Sequence, residues 1–279
     1  MLQQCEIAAT IVEADRLILL SVLLIRHFVT FAASLILSVA PFQLPVESWS
    51  DLQLVNSIEL EGDTYHVQGV DFNNQSLWVT SVDTAAGKGR LHEFSLATGK
   101  MERTEEIQDG VRFHPGGIAS DELSIWIPVA EYRRMSTSLI ERRNKRTLQL
   151  EFAFRVSDHI GCVAVTPEYL IGGNWDSLVF YVWDHSGKLL RTVDNETHNA
   201  YQDMKFDGRY IVASGLLSDG SGAIDWIDFP SFHLFHRLKA ESTDRQVPFT
   251  REGMAIRGSQ LLLLPEDNPS RAFIFRMKN

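Results

Sequence analysis

The sequence predicts an all-β fold, a five-bladed β-propeller. Three observations favour it: a fivefold repeat, several strand-like runs in each repeat, and an incomplete last repeat. The repeat is marked by five short segments, residues 66–70, 114–118, 159–163, 200–204 and 250–254. The fourth residues of these segments lie 41 to 50 residues apart, which is the length typical of a propeller blade. Six blades remain an alternative.

Each repeat contains strand-like runs separated by polar turns. The marker segment begins a first run, and a more apolar run follows about nine residues later, as in Leu77-Trp78-Val79. A third run alternates apolar and polar residues, as in residues 179–183, and a glycine-containing turn leads to a fourth. Four strands in each period are typical of propeller blades.

The two ends of the repeat region complement each other. The last repeat ends at Asn279 before a fourth strand, whereas residues 52–60 form a strand-like run before the first repeat. We therefore expect residues 52–60 to pair with the strand around residues 272–277 and to close the ring, which removes the exposed sheet edges.

The chain also resembles known families. Residues 77–83, 114–118, 200–205 and 252–256 resemble an uncharacterised family of secreted bacterial β-propeller proteins, a domain of unknown function, over residues 50–279. This resemblance implies the fold and secretion, and it implies no chemistry. A second, weaker likeness, to five-bladed glutaminyl cyclases, rests on Gln68-Gly69 and Glu252-Gly253.

The N-terminal region predicts export. Residues 17–40 hold two apolar runs, and Ser38-Val39-Ala40 supplies the small residues of a signal-peptide cleavage site before Pro41. The predicted organisation is a signal peptide over residues 1–40 and a single propeller domain over residues 41–279 of a secreted or periplasmic protein. The alternative is an uncleaved membrane segment, in which case the chain contacts the membrane there.

The net charge argues against one class of partner. A formal charge of −10 disfavours nucleic-acid binding, which requires a basic surface. We expect a small-molecule ligand instead, and the sequence leaves the oligomeric state open.

The marker segments predict a site at one mouth of the propeller, because the first strands of all blades begin at the same face. His66, His114 and His159 open three of the segments and are candidate ligands of one divalent metal, Zn²⁺ or Ca²⁺. Glu252 would complete this ligand set, and Asp203 is the candidate general base. Alternatively, the three imidazoles donate to backbone carbonyl groups.

A second set of candidate residues comes from the ends of the second strands. Asp83, Glu131, Asp176 and Asp267 each lie fourteen residues past a marker position, so we expect an acidic ring at the same mouth. Ordinary turn chemistry is the alternative for these residues. Further candidate ligand-binding residues are Gln68, Tyr132, Trp175, Tyr201, Gln202 and Arg251.

Two functions remain open from the sequence. One is a metal-assisted lyase or hydrolase that acts on a small molecule at the propeller mouth. The other is a non-catalytic propeller that binds a ligand or a protein. Propellers perform both kinds of function, so the fold does not decide between them.

Overall fold

The structure, a computed structural model, describes residues 45–278 and shows a five-bladed β-propeller. Five separate antiparallel sheets confirm the predicted number of blades. The first strands of neighbouring blades contact one another around the propeller axis. The predicted signal peptide lies outside the described residues. Within residues 45–278, no helix has the length and apolar character needed to cross a bilayer.

The described chain begins with a 3₁₀ turn, Trp49–Asp51, and strand β1, Leu52–Glu59. Blade 1 contains β2 to β5, which are His66–Phe72, Ser76–Asp83, Lys88–Ser95 and Met101–Glu106. Blade 2 contains β6 to β10, which are Arg112–Pro115, Ala119–Ser120, Ser124–Glu131, Ser138–Asn144 and Leu150–Val156. Blade 3 contains β11 to β14, which are Ile160–Val165, Tyr169–Asn174, Val179–Asp184 and Leu189–Asp194, with a second 3₁₀ turn at Trp175–Ser177.

Blade 4 contains β15 to β18, which are Ala200–Phe206, Tyr210–Leu216, Gly222–Asp228 and Leu234–Ala240. Blade 5 contains β19 to β21, which are Glu252–Arg257, Gln260–Pro265 and Arg271–Met277. Strand β1 is the fourth strand of this last blade. It pairs antiparallel with β21, from Leu52 opposite Met277 to Glu59 opposite Arg271, which confirms the predicted closure of the ring.

The apolar core is divided among the five interfaces between blades. Each interface holds one cluster of buried side chains, including the interface between blades 5 and 1, to which Ile58 contributes. The first strands approach one another closely near the axis, and glycine makes this possible. A Cβ atom at Gly117 would lie 2.4 Å from the carbonyl oxygen of Gln202, and one at Gly69 would lie 2.6 Å from that of Gly116.

A substitution in β1 tests the closure. Ile58 is 5% exposed, and we expect Ile58→Ala to lower the free energy of unfolding by about 2 to 4 kcal/mol because it removes apolar contacts between blades 5 and 1. Val55 lies on the same strand and is 49% exposed, so Val55→Ala is a matched control with an expected effect within about 0.5 kcal/mol. Urea denaturation measures both. Equal stabilities of the two variants would show that β1 does not close the ring in solution.

Candidate functional site

One cavity lies at the face where the first strands begin, and its volume is about 290 Å³. Strand register explains why the side chains meet there. His66 pairs with Val82, Ile160 with Asn174, and Glu252 with Pro265, so the start of each first strand lies level with the end of the second. The cavity is lined by His66, Gln68, His114, Tyr132, His159, Gly161, Asn174, Trp175, Asp176, Tyr201, Gln202 and Glu252.

Among the described residues, one group of side chains has the geometry of a metal site. The ligand atoms of His66, Glu252 and Glu266 all lie within 4.8 Å of one another. His66 Nδ1 is 3.0 Å from Glu266 Oε1, and Arg251 Nε is 2.8 Å from Glu266 Oε2. The group contains His66 and Glu252 from the predicted ligand set, with Glu266 as its third member.

Glu252 is a buried acid of this group, and its pKa is strongly raised. It is buried, and its carboxyl group makes no hydrogen bond to any described residue. Burial, reinforced by the negative charge of Glu266, raises the pKa of Glu252 to about 8. Its backbone φ of 102° is rare for a residue with a side chain. Such conformations persist where the surrounding structure imposes them, and they concentrate at functional sites.

The other two predicted histidines form an aromatic wall of the cavity. The His114 ring lies 5.4 Å from the His159 ring and 4.6 Å from the Tyr132 ring, and Trp175 lies 4.5 Å from His159, all between centroids. Burial and the neighbouring imidazoles lower the pKa of His114 to about 3, so its ring is neutral at physiological pH.

The surroundings of His159 fix its tautomer. Its Nδ1 lies 2.9 Å from the carbonyl oxygen of Arg133, which can only accept a hydrogen bond, so Nδ1 carries the proton. Burial is the main cause of the lowered pKa of His159, which leaves Nε2 as an acceptor in the neutral ring. The contact with Arg133 also matches the alternative in which a mouth histidine donates to a backbone carbonyl.

The carboxylates of the predicted acidic ring all have arginine partners. Glu131 lies 2.7 Å from Arg133, and Asp83 lies 3.5 Å from Arg90. Asp176 forms an ion pair with Arg134. Asp267 is buried and binds both Arg245, at 2.6 Å, and Arg271, at 2.7 Å. The ring is therefore charge-compensated, and of its four members only Asp176 lines the cavity.

Two other predicted residues are held by neighbouring groups. Tyr201 lines the cavity, but its hydroxyl donates to Asp225 at 2.6 Å. Gln68 donates from its amide to the carbonyl oxygen of Val67 at 3.0 Å. Gln202 lines the cavity beside Tyr201. Asn174, which also lines the cavity, is held as well, because its amide donates to Asp158 Oδ2 at 3.0 Å and its Oδ1 accepts from the Val179 N–H at 2.9 Å.

Comparison with known sequences assigns the family. Residues 46–200 match the family of unknown function DUF6454. The chain belongs to this family. The predicted resemblance to a family of unknown function is thereby confirmed, and no curated protein sequence matches the chain.

Solved structures similar to this DUF6454 protein include other propellers. The glutaminyl cyclase of Myxococcus xanthus is 15% identical with a TM-score of 0.63, and the match covers 81% of this chain and 96% of that one. The Pan2 WD40 domain of Neurospora crassa is 11% identical with a TM-score of 0.49, covering 84% and 98%. BamB of Moraxella catarrhalis is 11% identical with a TM-score of 0.44, covering 78% and 61%. At these identities the first match supports the fold alone.

In this DUF6454 protein Asp203 connects blades and does not line the cavity. Its Oδ2 accepts hydrogen bonds from the backbone N–H groups of Val70 in blade 1, at 2.9 Å, and Met254 in blade 5, at 3.2 Å. Its Oδ1 accepts from the Lys205 ammonium at 2.6 Å. Burial raises the pKa of Asp203 to about 7, although Lys205 and these N–H groups act in the opposite direction.

Glu266 is the member of the metal group that the sequence patterns did not indicate. It follows β20 directly and precedes Asp267, which carries the fourteen-residue spacing. Its neighbours His66 and Arg251 come from blade 1 and from the segment before β19, so sequence spacing did not connect them. The available signal in the sequence was the acidic pair Glu266-Asp267, because Asp267 carries the fourteen-residue spacing.

Proposed function

We propose that this protein is a metal-assisted hydrolase or lyase that acts on a small molecule in the mouth cavity, with His66, Glu252 and Glu266 as metal ligands. The observation that carries the proposal is the convergence of these three side chains, two of which, His66 and Glu252, line that cavity. One imidazole and two carboxylates form a mixed nitrogen and oxygen ligand set, which favours Zn²⁺ over Ca²⁺ because Ca²⁺ takes oxygen ligands.

The residues around the group suit a small substrate. A cavity of about 290 Å³ is near the lower end of the volumes of small-molecule sites. Tyr132 and Trp175 offer apolar faces, and the amide of Gln202 offers hydrogen bonds. His159 carries its proton on Nδ1, so its Nε2 is the candidate group to accept a proton or a hydrogen bond from the substrate.

A bound divalent ion would supply a Lewis acid and a water molecule of lowered pKa. The protein's own contribution is to place two carboxylates and one imidazole around one point, with Glu252 as the buried member of the three. Arg251 holds Glu266 from outside the cavity, which fixes the orientation of one carboxylate. In the absence of a metal, the raised pKa of Glu252, about 8, favours the protonated carboxyl group at neutral pH.

Zinc titration of the purified protein tests the proposal. We expect one Zn²⁺ per chain, and we expect His66→Ala to weaken binding on the order of 100-fold because it removes a direct ligand. His233→Ala is the matched control, since His233 is exposed in the turn between β17 and β18 and lies outside the cavity. Calorimetry and elemental analysis provide the readouts. Wild-type affinity in the His66 variant would refute this ligand set.

The alternative function is a propeller that binds a ligand without chemistry, and the aromatic wall around His114 supports it. A protein that holds no zinc at micromolar concentrations and still binds a small molecule in the cavity would favour this alternative.

The proposal also includes export to the periplasm or the cell exterior, on the strength of the predicted cleavage site before Pro41. Mass spectrometry of the protein from its native host, with a new N-terminus at residue 41, tests export.

A further inference from the structure

A second cavity, of about 770 Å³, lies at the opposite ends of the first strands. It is formed by the turn after β2, the turn before β8, the turn after β9 and the end of β19. His66 begins β2 and Asn73 follows its end, so about seven residues at roughly 3.3 Å each separate the levels of the two cavities along that strand. This second cavity therefore belongs to the other face of the propeller.

The cavity contains a buried donor that has no acceptor within the described part of the chain. Trp78 is 2% exposed and lines the cavity, and its indole Nε1 has no hydrogen-bond partner. The hydroxyl of Ser120, which also lines the cavity, has no partner either. Buried donors in folded proteins are normally paired, so two such groups beside one cavity indicate an acceptor from outside the chain.

The internal repeat explains why the indole is unpaired. In blade 2 the corresponding residue, Trp126, donates from Nε1 to Asp121 Oδ2 at 3.0 Å. Oδ1 of the same Asp121 accepts from the N–H groups two and three residues later. In blade 1 the residue in the position of Asp121 is Asn73, whose Oδ1 accepts from the same two positions. Its second side-chain atom is the donor Nδ2, so blade 1 lacks at this position the acceptor that Trp126 has in blade 2.

Cations accompany these neutral donors. Lys145 Nζ lies 5.0 Å from the centroid of the Trp78 ring, and Arg257 and Arg146 line the same cavity. Two of the acids in the lining are already engaged. Glu93 pairs with Arg103 at 2.6 Å, and both side-chain oxygens of Asp121 accept hydrogen bonds from blade 2.

We propose that this second cavity binds the phosphate group of a small molecule through Trp78 Nε1, Asn73 Nδ2, Ser120 Oγ and Lys145 Nζ. The three terminal oxygens of a phosphate monoester can accept from these neutral donors and, with a charge-assisted hydrogen bond, from the Lys145 ammonium. The volume lies within the range of small-molecule sites. The acidic net charge of the chain favours a single small ligand over a nucleic acid.

Titration with inorganic phosphate, followed by the indole N–H signals of the six tryptophans, tests the proposal. We expect the Trp78 signal, assigned with Trp78→Phe, to shift and saturate, with chloride of equal ionic strength as the baseline. Asn73→Asp recreates the arrangement of Trp126 and Asp121 and adds a negative charge. It should weaken phosphate binding at least about tenfold. Lys145→Met should weaken binding similarly.

Lys188→Met is the matched control, because Lys188 lies in the corresponding turn of blade 3, outside this cavity, and its loss should leave phosphate binding unchanged. The remaining indole signals report whether each variant is folded. The proposal is overturned if the Trp78 signal does not respond to phosphate, or if the folded Asn73→Asp variant binds as wild type does. Acetate that binds as tightly as phosphate would overturn the assignment to a phosphate group.

Discussion

Asparagine in place of Asp203 is expected to lower the free energy of unfolding by about 3 to 5 kcal/mol, because it leaves the buried ammonium of Lys205 without an anionic partner. The carboxylate also accepts backbone hydrogen bonds from blades 1 and 5, so its effect extends over three blades. Urea denaturation at pH 8.5, above the raised pKa of Asp203, gives the measurement. A spectroscopic check of the folded state confirms that the fold is retained before the titration.

Asp219→Asn is the control for this substitution. Asp219 is exposed, also belongs to blade 4, and accepts hydrogen bonds from Ser221 within its own turn. Asparagine serves such a turn as well as aspartate does, so the expected change is within about 0.5 kcal/mol. If Asp203→Asn were as stable as this control, the carboxylate would not connect the blades as the hydrogen bonds indicate.

The architecture was predictable because it follows from repetition and from the pairing of the ends. The spacing of the marker segments depends on strand and turn lengths, which sequence patterns report directly. Closure by β1 followed from a missing strand at one end and an unassigned strand at the other, and the observed partners of Leu52 and Ile58 are Met277 and Ala272. Neither inference required knowledge of side-chain contacts.

The candidate site was predictable only in part, because neighbours from different blades determine its chemistry. The register of paired strands brings His66, His159 and Glu252 to one cavity, and spacing along the chain encodes that register. Spacing does not encode ion pairs between separate segments. The two arginines that neutralise Asp267 come from the segment before β19 and from β21, so the charge compensation of the ring was not visible in the sequence.

Asp203 shows that a repeat can mark a position without defining the role of its side chain. It occupies the marker position at which the other repeats have a glycine or Cys162. From the sequence, Asp203 is a candidate general base at the mouth of the propeller. The structure shows a carboxylate at the axis with its hydrogen-bonding capacity occupied, which fits a structural role.

Burial of Glu252 predicts an unusual dependence of stability on pH. With a pKa of about 8 in the folded protein and an ordinary value of 4.5, folded Glu252 keeps a proton that the unfolded chain releases between these pH values. Its contribution to stability is therefore fully present below pH 4.5 and is lost as the pH rises to 8. His92 and His114, whose pKa values are lowered to about 4 and about 3, destabilise the fold as the pH falls below 6.5.

Glu252→Gln isolates the glutamate from the other groups, because the histidines and Asp203 titrate in both proteins. In metal-free buffer the variant should match the wild type near pH 4.5 and exceed it at pH 8.5 by on the order of 4 kcal/mol, since each unit of pKa shift corresponds to about 1.4 kcal/mol. Zinc should then stabilise the wild type at pH 8.5 more than the variant, because glutamine replaces an anionic ligand with a neutral amide. Urea denaturation of both proteins at pH 4.5 and pH 8.5, with and without zinc, gives the free energies of unfolding that these comparisons require. If the free energies of unfolding of the two proteins depended on pH in the same way, Glu252 would not be buried with its proton. If zinc stabilised both proteins equally, Glu252 would not be a metal ligand.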